Sequence, residues 1–361
     1  MVQIMELDGS IGEGGGQVLR VALAISAITS RPLRVYNIRK KRSNPGLRHQ
    51  HLTAVRAVQE ACGGEVKGAN VGSTEIVFYP GKVGKTFLDL DTGTAGSTTL
   101  VLQSLIPVLC FAGKKTQFRI RGGTNNPNAP TFEYFHQVFL EALNKLGVDT
   151  GLSLARRGFY PRGGGAVEGY VSPVRRIASF EFVATPRISK ILIHGYTARL
   201  PAHVADRMTK ACKQVLAEKA IAPIEVVEEV LNENDEKCSI DPGAGIFILG
   251  KSETLPLGVD RLGEKGVPAE TVGREAAYSF LQELERKAPV DSHLGDMLVI
   301  YAALADGKST YRVTNLTNHT LTSIEVCKAL LHIRAGVEGS LGQVAMISIE
   351  GCGMVNNNIQ G

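Results

Sequence analysis

Apolar and polar positions near the start of the chain follow a pattern that recurs twice. A glycine-rich segment, "EGGGQVLR", leads into an apolar stretch about four helical turns long, the β-rich "LRVYNI", a polar proline-containing loop and the amphipathic "HLTAVRAVQEA". Apolar residues at helical spacing predict a helix on either side of the strand, and the proline and glycine mark the loop. The pattern therefore predicts a unit of helix, strand, loop and second helix.

Two further segments repeat this order. In "GTAGSTTLVLQSLIPVLCFAGKKTQFRIRGGTNNPN", Gly96 matches Gly14 at an offset of 82 residues. In "HLGDMLVIYAALADGKSTYRVTNLTNHTLTSIEVCKALL", Arg312 matches Arg34 at an offset of 278 residues. Self-similarity of this kind indicates a repeated structural unit. We therefore predict a mixed α+β fold that contains three repeated β-α units.

The third copy gives His319 a place in the unit. In this register the histidine falls on Lys41, in the polar loop between the strand and the second helix. If the three units pack about a common axis, with pseudo-threefold symmetry, these loops meet at one cleft. Loops on a rigid scaffold commonly carry binding and catalytic groups. A repeat that is purely architectural is the alternative.

Residues 184–286 lack the repeat pattern. They contain the strand-like "KILIHGYTA", the amphipathic "HVADRMTKACKQVLAEKA", the strand-like "IEVVEEV" and "GIFILG", the glycine-rich loop "LGVDRLGEKG" and a helix from "AETVGREAAY" onward. This is enough for a small inserted α/β domain. We predict a three-repeat domain formed by 1–183 and 287–361 and interrupted by the insertion at 184–286.

Composition narrows the class of protein. Of the 361 residues, 43% are hydrophobic and 21% charged, as in ordinary soluble proteins, and no apolar run approaches the roughly 20 residues of a membrane span. The start of the chain has no basic-then-apolar signal pattern. We therefore expect a cytoplasmic protein with no membrane partner. Six scattered cysteines without a C-x-x-C pair are expected to be buried free thiols.

Positive charge is concentrated in one segment. The net charge is only +5, yet no acidic residue lies between Glu13 and Glu60, where nine lysines and arginines are found. Such a cluster is either a solvated basic face or a site for phosphates or a nucleic-acid backbone.

The first glycine-rich segment resembles a phosphate-binding turn. Successive glycines let backbone N–H groups converge at a helix N-terminus, and Arg20 lies about one turn into that helix. Tight helix packing is the alternative. A carboxylate in this basic setting, Glu13, suits a cation such as Mg²⁺ or Mn²⁺, unless it is only an N-terminal helix acid.

The histidine of "NLTNHTL", His319, has the chemistry of a nucleophile. A free imidazole, with an ordinary pKa of about 6.5, is mostly unprotonated at pH 7, whereas a lysine amine is almost wholly protonated. Histidine therefore needs little tuning to attack phosphorus.

A set of six motifs carries a family resemblance. In chain order they are "DGSIGEGGGQVLR", "NPGLRHQHLTAV", "GTAGSTTLVLQSLIPVL", "GGTNNPNAP", "GFYPRGGG" and "LTNHTLTSIEV". Each alone is weak, but the ordered set, which spans essentially the whole chain, resembles the RNA 3′-terminal phosphate cyclase family. The resemblance implies three repeated units like the C-terminal domain of a bacterial translation initiation factor, plus one small inserted domain.

The resemblance also implies ATP-dependent conversion of an RNA 3′-phosphate into a 2′,3′-cyclic phosphodiester. In the family, a histidine that matches His319 attacks the α-phosphorus of ATP and forms a covalent histidine–AMP intermediate. The adenylyl group then moves to the RNA phosphate, and the 2′-hydroxyl closes the ring with release of AMP. ATP, Mg²⁺ or Mn²⁺ and RNA 3′ ends are the implied cofactors and partners, and a monomer and a homodimer are both open.

The same resemblance assigns roles to further positions. Glu13 matches the family's metal-binding carboxylate. The positions that match residues around the nucleotide or the RNA terminus are Arg20, Arg42, Gln50, His51, Gln103, Pro130, His293 and Asp296. His293 stands where bacterial relatives carry an aromatic residue. Structural alternatives are a buried backbone contact for Gln103, helix capping for His51 and an N-terminal helix acid for Asp296.

Two other classes of protein resemble this chain less closely. The same fold includes a cyclase-like factor of ribosome biogenesis, which binds RNA and proteins without cyclase activity. The presence of both His319 and Glu13 favours the enzyme, because the binding relative does not keep the adenylylation residues. A more distant alternative is an enolpyruvyl transferase, which has a related repeated fold but no use for a histidine nucleophile.

Overall fold

The first unit of the fold is a four-stranded sheet with two helices. The computed structural model of the chain describes residues 4–359. In chain order the elements are β1 (Met5–Asp8), α1 (Gly16–Thr29), β2 (Leu33–Tyr36), α2 (His49–Cys62), β3 (Glu65–Lys67) and β4 (Ile76–Tyr79). The strand order is β1-β2-β4-β3, with β1 parallel to β2 and the other neighbours antiparallel. A parallel pair needs a crossover connection, which α1 provides.

The second unit has the same connectivity. Its elements are β5 (Phe87–Asp91), α3 (Thr98–Cys110), β6 (Thr116–Gly122), α4 (Phe132–Tyr134), a π-helical turn (Phe135–Phe139), α5 (Leu140–Lys145), β7 (Thr150–Arg156) and β8 (Gly165–Val171). The strand order is β5-β6-β8-β7, and again only the first pair is parallel.

The third unit begins with one short strand and is then interrupted. The strand and the insertion comprise β9 (Glu181–Phe182), β10 (Lys190–Ala198), α6 (His203–Ala217), β11 (Ile224–Leu231), β12 (Gly243–Lys251), β13 (Leu257–Leu262) and α7 (Ala269–Glu285). The inserted strands form a separate sheet of order β11-β10-β12-β13. Because β9 pairs with a strand that follows the insertion, the third unit closes only after the insertion has been completed.

The remaining elements complete the third unit. They are α8 (Leu294–Met297), α9 (Val299–Leu304), β14 (Lys308–Val313), α10 (Asn318–Leu331), β15 (Arg334–Glu338) and β16 (Ala345–Glu350). Their sheet, β9-β14-β16-β15, has the same order as the first two, so three of the four sheets formed by the described residues share one topology. The predicted mixed α+β class is confirmed. The predicted domain bounds 1–183, 184–286 and 287–361 remain a prediction, and residues 1–3 and 360–361 lie outside the described range.

Apolar packing holds α1 at the centre of the three units. Leu23 and Ile25 of α1 are fully buried, and the helix packs against α2, α3 and α10. A helix that is apolar on nearly all sides is stable only when it is surrounded.

The insertion has its own core, which includes Ile248 and Phe280. All six cysteines are free and five are buried, with Cys352 exposed. None of the helices within 4–359 has the length and apolarity needed to cross a membrane.

A buried ion cluster joins the insertion to the second unit. Arg157, which follows β7, is 1% exposed, and its Nη2 lies 2.7 Å from Glu133 Oε1 of α4. Its Nε donates to Glu229 Oε2 of β11 at 2.6 Å, and its guanidinium lies 4.1 Å from the ring centroid of Tyr196 in β10. Burial opposes ionisation of Glu133, but the Arg157 guanidinium outweighs it and holds the pKa of that carboxyl below its usual value. The interface therefore depends on mutually neutralising charges.

Two predictions of local structure are wrong. The segment "LGVDRLGEKG", predicted as a loop, contains the whole of β13, which pairs with β12 at the edge of the inserted sheet. His319, predicted in a loop, lies in the first turn of α10, since Thr317 caps that helix by accepting a hydrogen bond from Thr320 N at 3.1 Å. Counted from the helix starts, His319 corresponds to Gln50 rather than to Lys41, because the loop before α2 is longer than the loop before α10.

Candidate functional site

A cavity of about 810 Å³ lies where helices of all three units begin. The predicted residues that line it are Arg20, Arg42, Gln50, His51, Gln103, Pro130, His293, Asp296 and His319. The lining residues that the sequence did not predict as site residues include Gln17, Arg39 and, from the insertion, Asp260. Glu13 does not line the cavity, but its carboxylate contacts two residues that do. The structure thus brings the predicted positions together, while their roles remain predictions.

Helix N-termini surround the cavity. The first turns of α1, α2 and α10 all contribute to its lining. At Gly15, the N-cap of α1, no side chain satisfies the first backbone N–H groups. Free N–H groups and the positive end of the helix dipole both attract anions. This arrangement suits a ligand with several negative charges, such as a chain of phosphates.

Three arginines add full positive charges to the lining. These are Arg20 of α1 and, from the loop before α2, Arg39 and Arg42. Burial lowers the pKa of the Arg20 guanidinium to about 10, so this group stays protonated at neutral pH. Arg39 Nη1 donates to the carbonyl oxygens of Asn44 at 2.8 Å and Gly46 at 3.0 Å, and so also holds the loop in shape.

His319 presents an accessible imidazole to the cavity. Its side chain is 53% exposed. Its Nδ1 lies 2.6 Å from Gln17 Oε1 and 3.1 Å from Glu13 Oε2, whereas no hydrogen bond within residues 4–359 engages its Nε2. A ring that is held by one nitrogen and free at the other suits a nucleophile or a general base.

Gly12 allows the glycine-rich segment to lie directly against α10. Its φ is +56°, and a Cβ at this position would overlap with the Thr322 hydroxyl. In this position Glu13 N donates to Thr322 Oγ1 at 3.3 Å, and Lys41 Nζ donates to Gly12 O at 2.9 Å. The close approach places the Glu13 carboxylate beside the ring of His319.

Gln17, which the sequence did not predict as a site residue, connects Asp296 to His319. Its Nε2 donates to Asp296 Oδ2 at 2.8 Å and to Ser323 Oγ at 2.6 Å. Loss of solvation raises the pKa of the Asp296 carboxyl, although the neighbouring His319 and Arg20 oppose the rise. The available sequence signal for Gln17 is a polar residue in a mostly apolar helix, three positions before Arg20.

His51 both caps its helix and faces the glycine-rich segment. Its Nδ1 accepts a hydrogen bond from Arg48 N at 3.0 Å and completes a capping box, which is the structural alternative raised for this residue. A Cβ on Gly16 would overlap with His51 Nε2. Burial, and then the charge of Arg39, lower the pKa of the His51 imidazole to about 3. At neutral pH a neutral ring with Nδ1 as acceptor carries its hydrogen on Nε2, as a donor.

We expect His51→Gln to make folding less sensitive to acid. The unfolded imidazole binds a proton below about pH 6.5, but the folded one does so only near pH 3. The unfolded state therefore binds more protons in this window, so stability falls as the pH falls, by about 2 kcal/mol between pH 7 and pH 5. Glutamine accepts the same capping hydrogen bond without titrating.

Urea unfolding at pH 7 and pH 5 measures this difference. The glutamine variant should lose about 2 kcal/mol less free energy of unfolding than the wild type between the two pH values. His203→Gln, at the exposed start of α6, serves as the control and should behave like the wild type. Equal losses in the His51→Gln variant and the wild type would contradict the prediction.

Part of the cavity lining is apolar. The apolar residues are Leu100, Ala129, Pro130 and Met297. His293 packs edge-on against Tyr134, with 5.8 Å between ring centroids. Asp260 Oδ2 accepts a hydrogen bond from Thr131 N at 2.8 Å, which fixes the inserted sheet against this part of the wall. Apolar surface with a few placed polar groups suits a planar group such as a nucleobase.

The Glu13 carboxylate contacts two residues that line the cavity, Arg42 and His319. Its side chain is 27% exposed, and Arg42 Nη2 lies 3.5 Å from its Oε2. In the described part of the chain, no group of three or more His, Cys, Asp or Glu side chains could hold a metal ion. Mg²⁺ usually keeps several waters and binds one or two carboxylates together with substrate phosphates. The residues therefore fit a cation that binds with a phosphate ligand, not a metal held by protein alone.

Comparisons with known proteins agree over nearly the whole chain. A family model described as RNA 3′-terminal phosphate cyclase matches residues 11–337. A Desulfurococcus amylolyticus protein named RNA 3′-terminal phosphate cyclase is 46% identical over 356 residues, which cover 98% of this chain and 99% of that protein. A protein of the same name from Staphylothermus marinus is 44% identical, and the match covers 98% of this chain and 99% of that protein. A third, from Pyrococcus abyssi, is 42% identical, and the match covers 96% of this chain and 98% of that protein.

Proposed function

The chain belongs to the RNA 3′-terminal phosphate cyclase family of enzymes, and from this premise we propose that it uses ATP to cyclise RNA 3′-phosphates through a covalent adenylate on His319. The observation that carries the proposal is the accessible imidazole in the cavity, whose Nδ1 is hydrogen-bonded and whose Nε2 has no partner among the described residues. The other lining groups support a nucleotide with its phosphates near the arginines.

The first step in this proposal is attack of His319 on the α-phosphorus of ATP. The lone pair of Nε2 forms a nitrogen–phosphorus bond, the bond to the β-phosphate oxygen breaks, and pyrophosphate leaves with that electron pair. Negative charge accumulates on the phosphate oxygens. Arg20, Arg42 and the N–H groups at the start of α1 line the cavity, and their positive charge stabilises these oxygens.

The second and third steps transfer the adenylyl group and close the ring. An oxygen of the RNA 3′-phosphate attacks the adenylate phosphorus, and the electron pair of the broken bond returns to His319 Nε2. The RNA 2′-hydroxyl oxygen then attacks the terminal phosphorus, loses its proton, and AMP departs. Adenylylation supplies a good leaving group, without which displacement at a phosphomonoester is extremely slow, and the adjacent hydroxyl reacts intramolecularly.

RNA is proposed to approach over the basic segment beside the cavity. Exposed cations there are Lys40, Lys41, Arg48 and Arg56. Contacts to a phosphate backbone release counterions, so binding of the RNA body should weaken as salt concentration rises. This electrostatic contact carries no base information, which suits an enzyme that acts on a 3′ end.

Wild-type protein, Mg²⁺ and ATP labelled at the α-phosphate test the covalent step. After denaturation the protein should retain label that is stable to alkali and labile to acid, whereas γ-labelled ATP should leave none. Adding RNA with a 3′-phosphate should remove the label and yield a cyclic end, while RNA with a 3′-hydroxyl should not. Cyclisation without protein label would contradict the covalent route, and absence of cyclisation would contradict the proposed function.

Glu13→Gln is expected to weaken the use of the divalent cation. The substitution keeps the size of the side chain but removes the negative charge that we propose binds Mg²⁺ or Mn²⁺. We expect the Mg²⁺ concentration for half-maximal adenylylation to rise about tenfold. Glu325→Gln, on the exposed face of α10, is the matched control and should titrate like the wild type. An unchanged Mg²⁺ titration in the Glu13 variant would remove the metal assignment and leave that of His319 intact.

A further inference from the structure

The carboxamide of Gln17 has every polar atom engaged. Its side chain is buried, with 6% of the residue exposed. Nε2 lies within hydrogen-bond distance of Asp296 Oδ2 at 2.8 Å, Ser323 Oγ at 2.6 Å and the backbone oxygen of His319 at 3.2 Å. Oε1 lies 2.6 Å from His319 Nδ1. The amide therefore contacts the same histidine at both its backbone and its ring.

These partners determine which end of the amide faces the ring. The backbone carbonyl of His319 can only accept a hydrogen bond, so the nitrogen of Gln17 must face it. The Asp296 carboxylate likewise needs a donor. A flipped amide would turn its oxygen towards both acceptors and leave them without a partner in a poorly hydrated site, which is costly. Gln17 Oε1 therefore faces His319 Nδ1.

An acceptor opposite Nδ1 determines where the ring hydrogen lies. In a neutral imidazole one nitrogen carries hydrogen and the other a lone pair, and the partner of one nitrogen decides the state of both. Gln17 Oε1 can only accept, so Nδ1 must donate. Glu13 Oε2, at 3.1 Å from the same nitrogen, is a second acceptor and favours the same form. The lone pair is then on Nε2.

We propose that Gln17 is a positioning residue that holds His319 in its Nδ1–H tautomer, with the Nε2 lone pair available to the cavity. The inference rests on the proposed function, because it assigns the nitrogen that attacks. When Nε2 bonds to phosphorus the ring gains a positive charge, and the hydrogen on Nδ1 stays in its bond to Gln17 Oε1. When that bond breaks, the electron pair returns to Nε2. No proton has to move on or off the ring in either direction.

Asp296 acts on the histidine through the same amide. Its carboxylate accepts from Gln17 Nε2 and polarises the amide, which increases the negative charge on Oε1. A polarised Oε1 stabilises the positive ring that forms on attack. This arrangement gives Asp296 a function beyond that of an acid in the first turn of α8, which was its structural alternative.

Nuclear magnetic resonance of protein with ¹⁵N-labelled histidine rings, free of nucleotide and metal, tests the tautomer directly. The His319 signals are identified by their loss in His319→Asn. In the wild type at pH 8 we expect the Nδ1–H pattern. Glu13→Met alone should keep this pattern, because Gln17 Oε1 still faces Nδ1, and its loss in that variant would count against the inference. Gln17→Met combined with Glu13→Met leaves neither acceptor opposite Nδ1 and should give the Nε2–H form or a mixture. An Nδ1–H pattern that persists in the double methionine variant would overturn the inference.

The adenylylation rate provides a second test. A general packing defect would change both this rate and the affinity for ATP, whereas loss of positioning should change mainly the rate. We expect Gln17→Met to lower the single-turnover adenylylation rate about 100-fold and to change the dissociation constant of ATP less than about threefold. Gln59→Met, near the end of α2, is the matched control and should label like the wild type. Equal losses in rate and in ATP affinity would indicate a general disturbance of the site and count against positioning.

Gln17→Glu keeps the test decisive if the methionine variant does not fold. Its carboxylate still places an acceptor opposite His319 Nδ1, so the Nδ1–H tautomer should persist, and the Nε2–H form in this variant would overturn the inference. Failure of the proposed function is distinguishable. If the wild type takes up no label but its tautomer depends on Gln17, the positioning holds and the nucleophilic role of His319 does not.

Discussion

Replacing His319 with alanine is expected to abolish protein labelling by ATP labelled at the α-phosphate and to lower RNA cyclisation by about 10⁴-fold or more. A methyl group has no lone pair with which to bond to phosphorus. His51, the neighbouring imidazole, cannot replace it, because its Nδ1 already accepts a hydrogen bond from Arg48 N and its Nε2 carries the ring hydrogen. Protein labelling and RNA cyclisation should therefore be lost together.

The same variant should fold and bind ATP. The side chain of His319 is 53% exposed, and substitutions at such positions usually change stability little. Thermal unfolding and ATP affinity should stay near the wild-type values, which separates loss of chemistry from loss of structure. His49→Ala removes an exposed histidine at the start of α2, outside the cavity, and should label normally. Label on the His319 variant at a comparable rate would mean that another group is the nucleophile.

Arg157→Met is expected to lower the free energy of unfolding by about 3 to 5 kcal/mol. The substitution removes the cation from the interface and leaves Glu133, which is 1% exposed, as an uncompensated buried charge. It also removes the hydrogen bond to Glu229 that links the second unit to the insertion. Chemical denaturation followed by circular dichroism measures the loss.

Adding Glu133→Gln to Arg157→Met should restore part of the lost stability. The double variant no longer buries an unpaired carboxylate, so it should be more stable than Arg157→Met alone. Arg207→Ala is the matched control, because this arginine makes a bidentate pair with Glu270, at 2.6 and 2.7 Å, but is 45% exposed. Arg207→Ala should lower the free energy of unfolding by less than about 1 kcal/mol. If the control cost as much as Arg157→Met, burial would not be the source of the effect.

Docking of the insertion also bears on the site. Asp260 reaches the cavity from β13, and its hydrogen bond to Thr131 N lies at the wall that contains Pro130. A loosened interface at Arg157 should therefore weaken ATP binding as well as folding. The sequence predicted a loop where β13 forms, because a glycine and two adjacent charged residues interrupt the apolar pattern of a strand that pairs with β12.

The structure brings the residues predicted from motifs to one cavity, but the sequence did not predict the contacts between distant segments. Gln17 and Asp296 are 279 positions apart, and neither residue's neighbours in sequence indicate that they share a hydrogen bond. The helical position of His319 was also missed, since a Thr317 cap and a loop of small polar residues look alike in sequence. Such pairings depend on how the three units pack.

The sequence by itself determined the repeated order of helices and strands, the glycine-rich start of α1, the basic segment and the family, because each depends on local spacing or on an ordered set of motifs. Only the tertiary structure decided which side chains meet. Hydrogen bonds act over about 3 Å, so the direction of the Gln17 amide, the partner of each nitrogen of His319 and the burial of Arg157 depend on packing between segments that are remote in the chain.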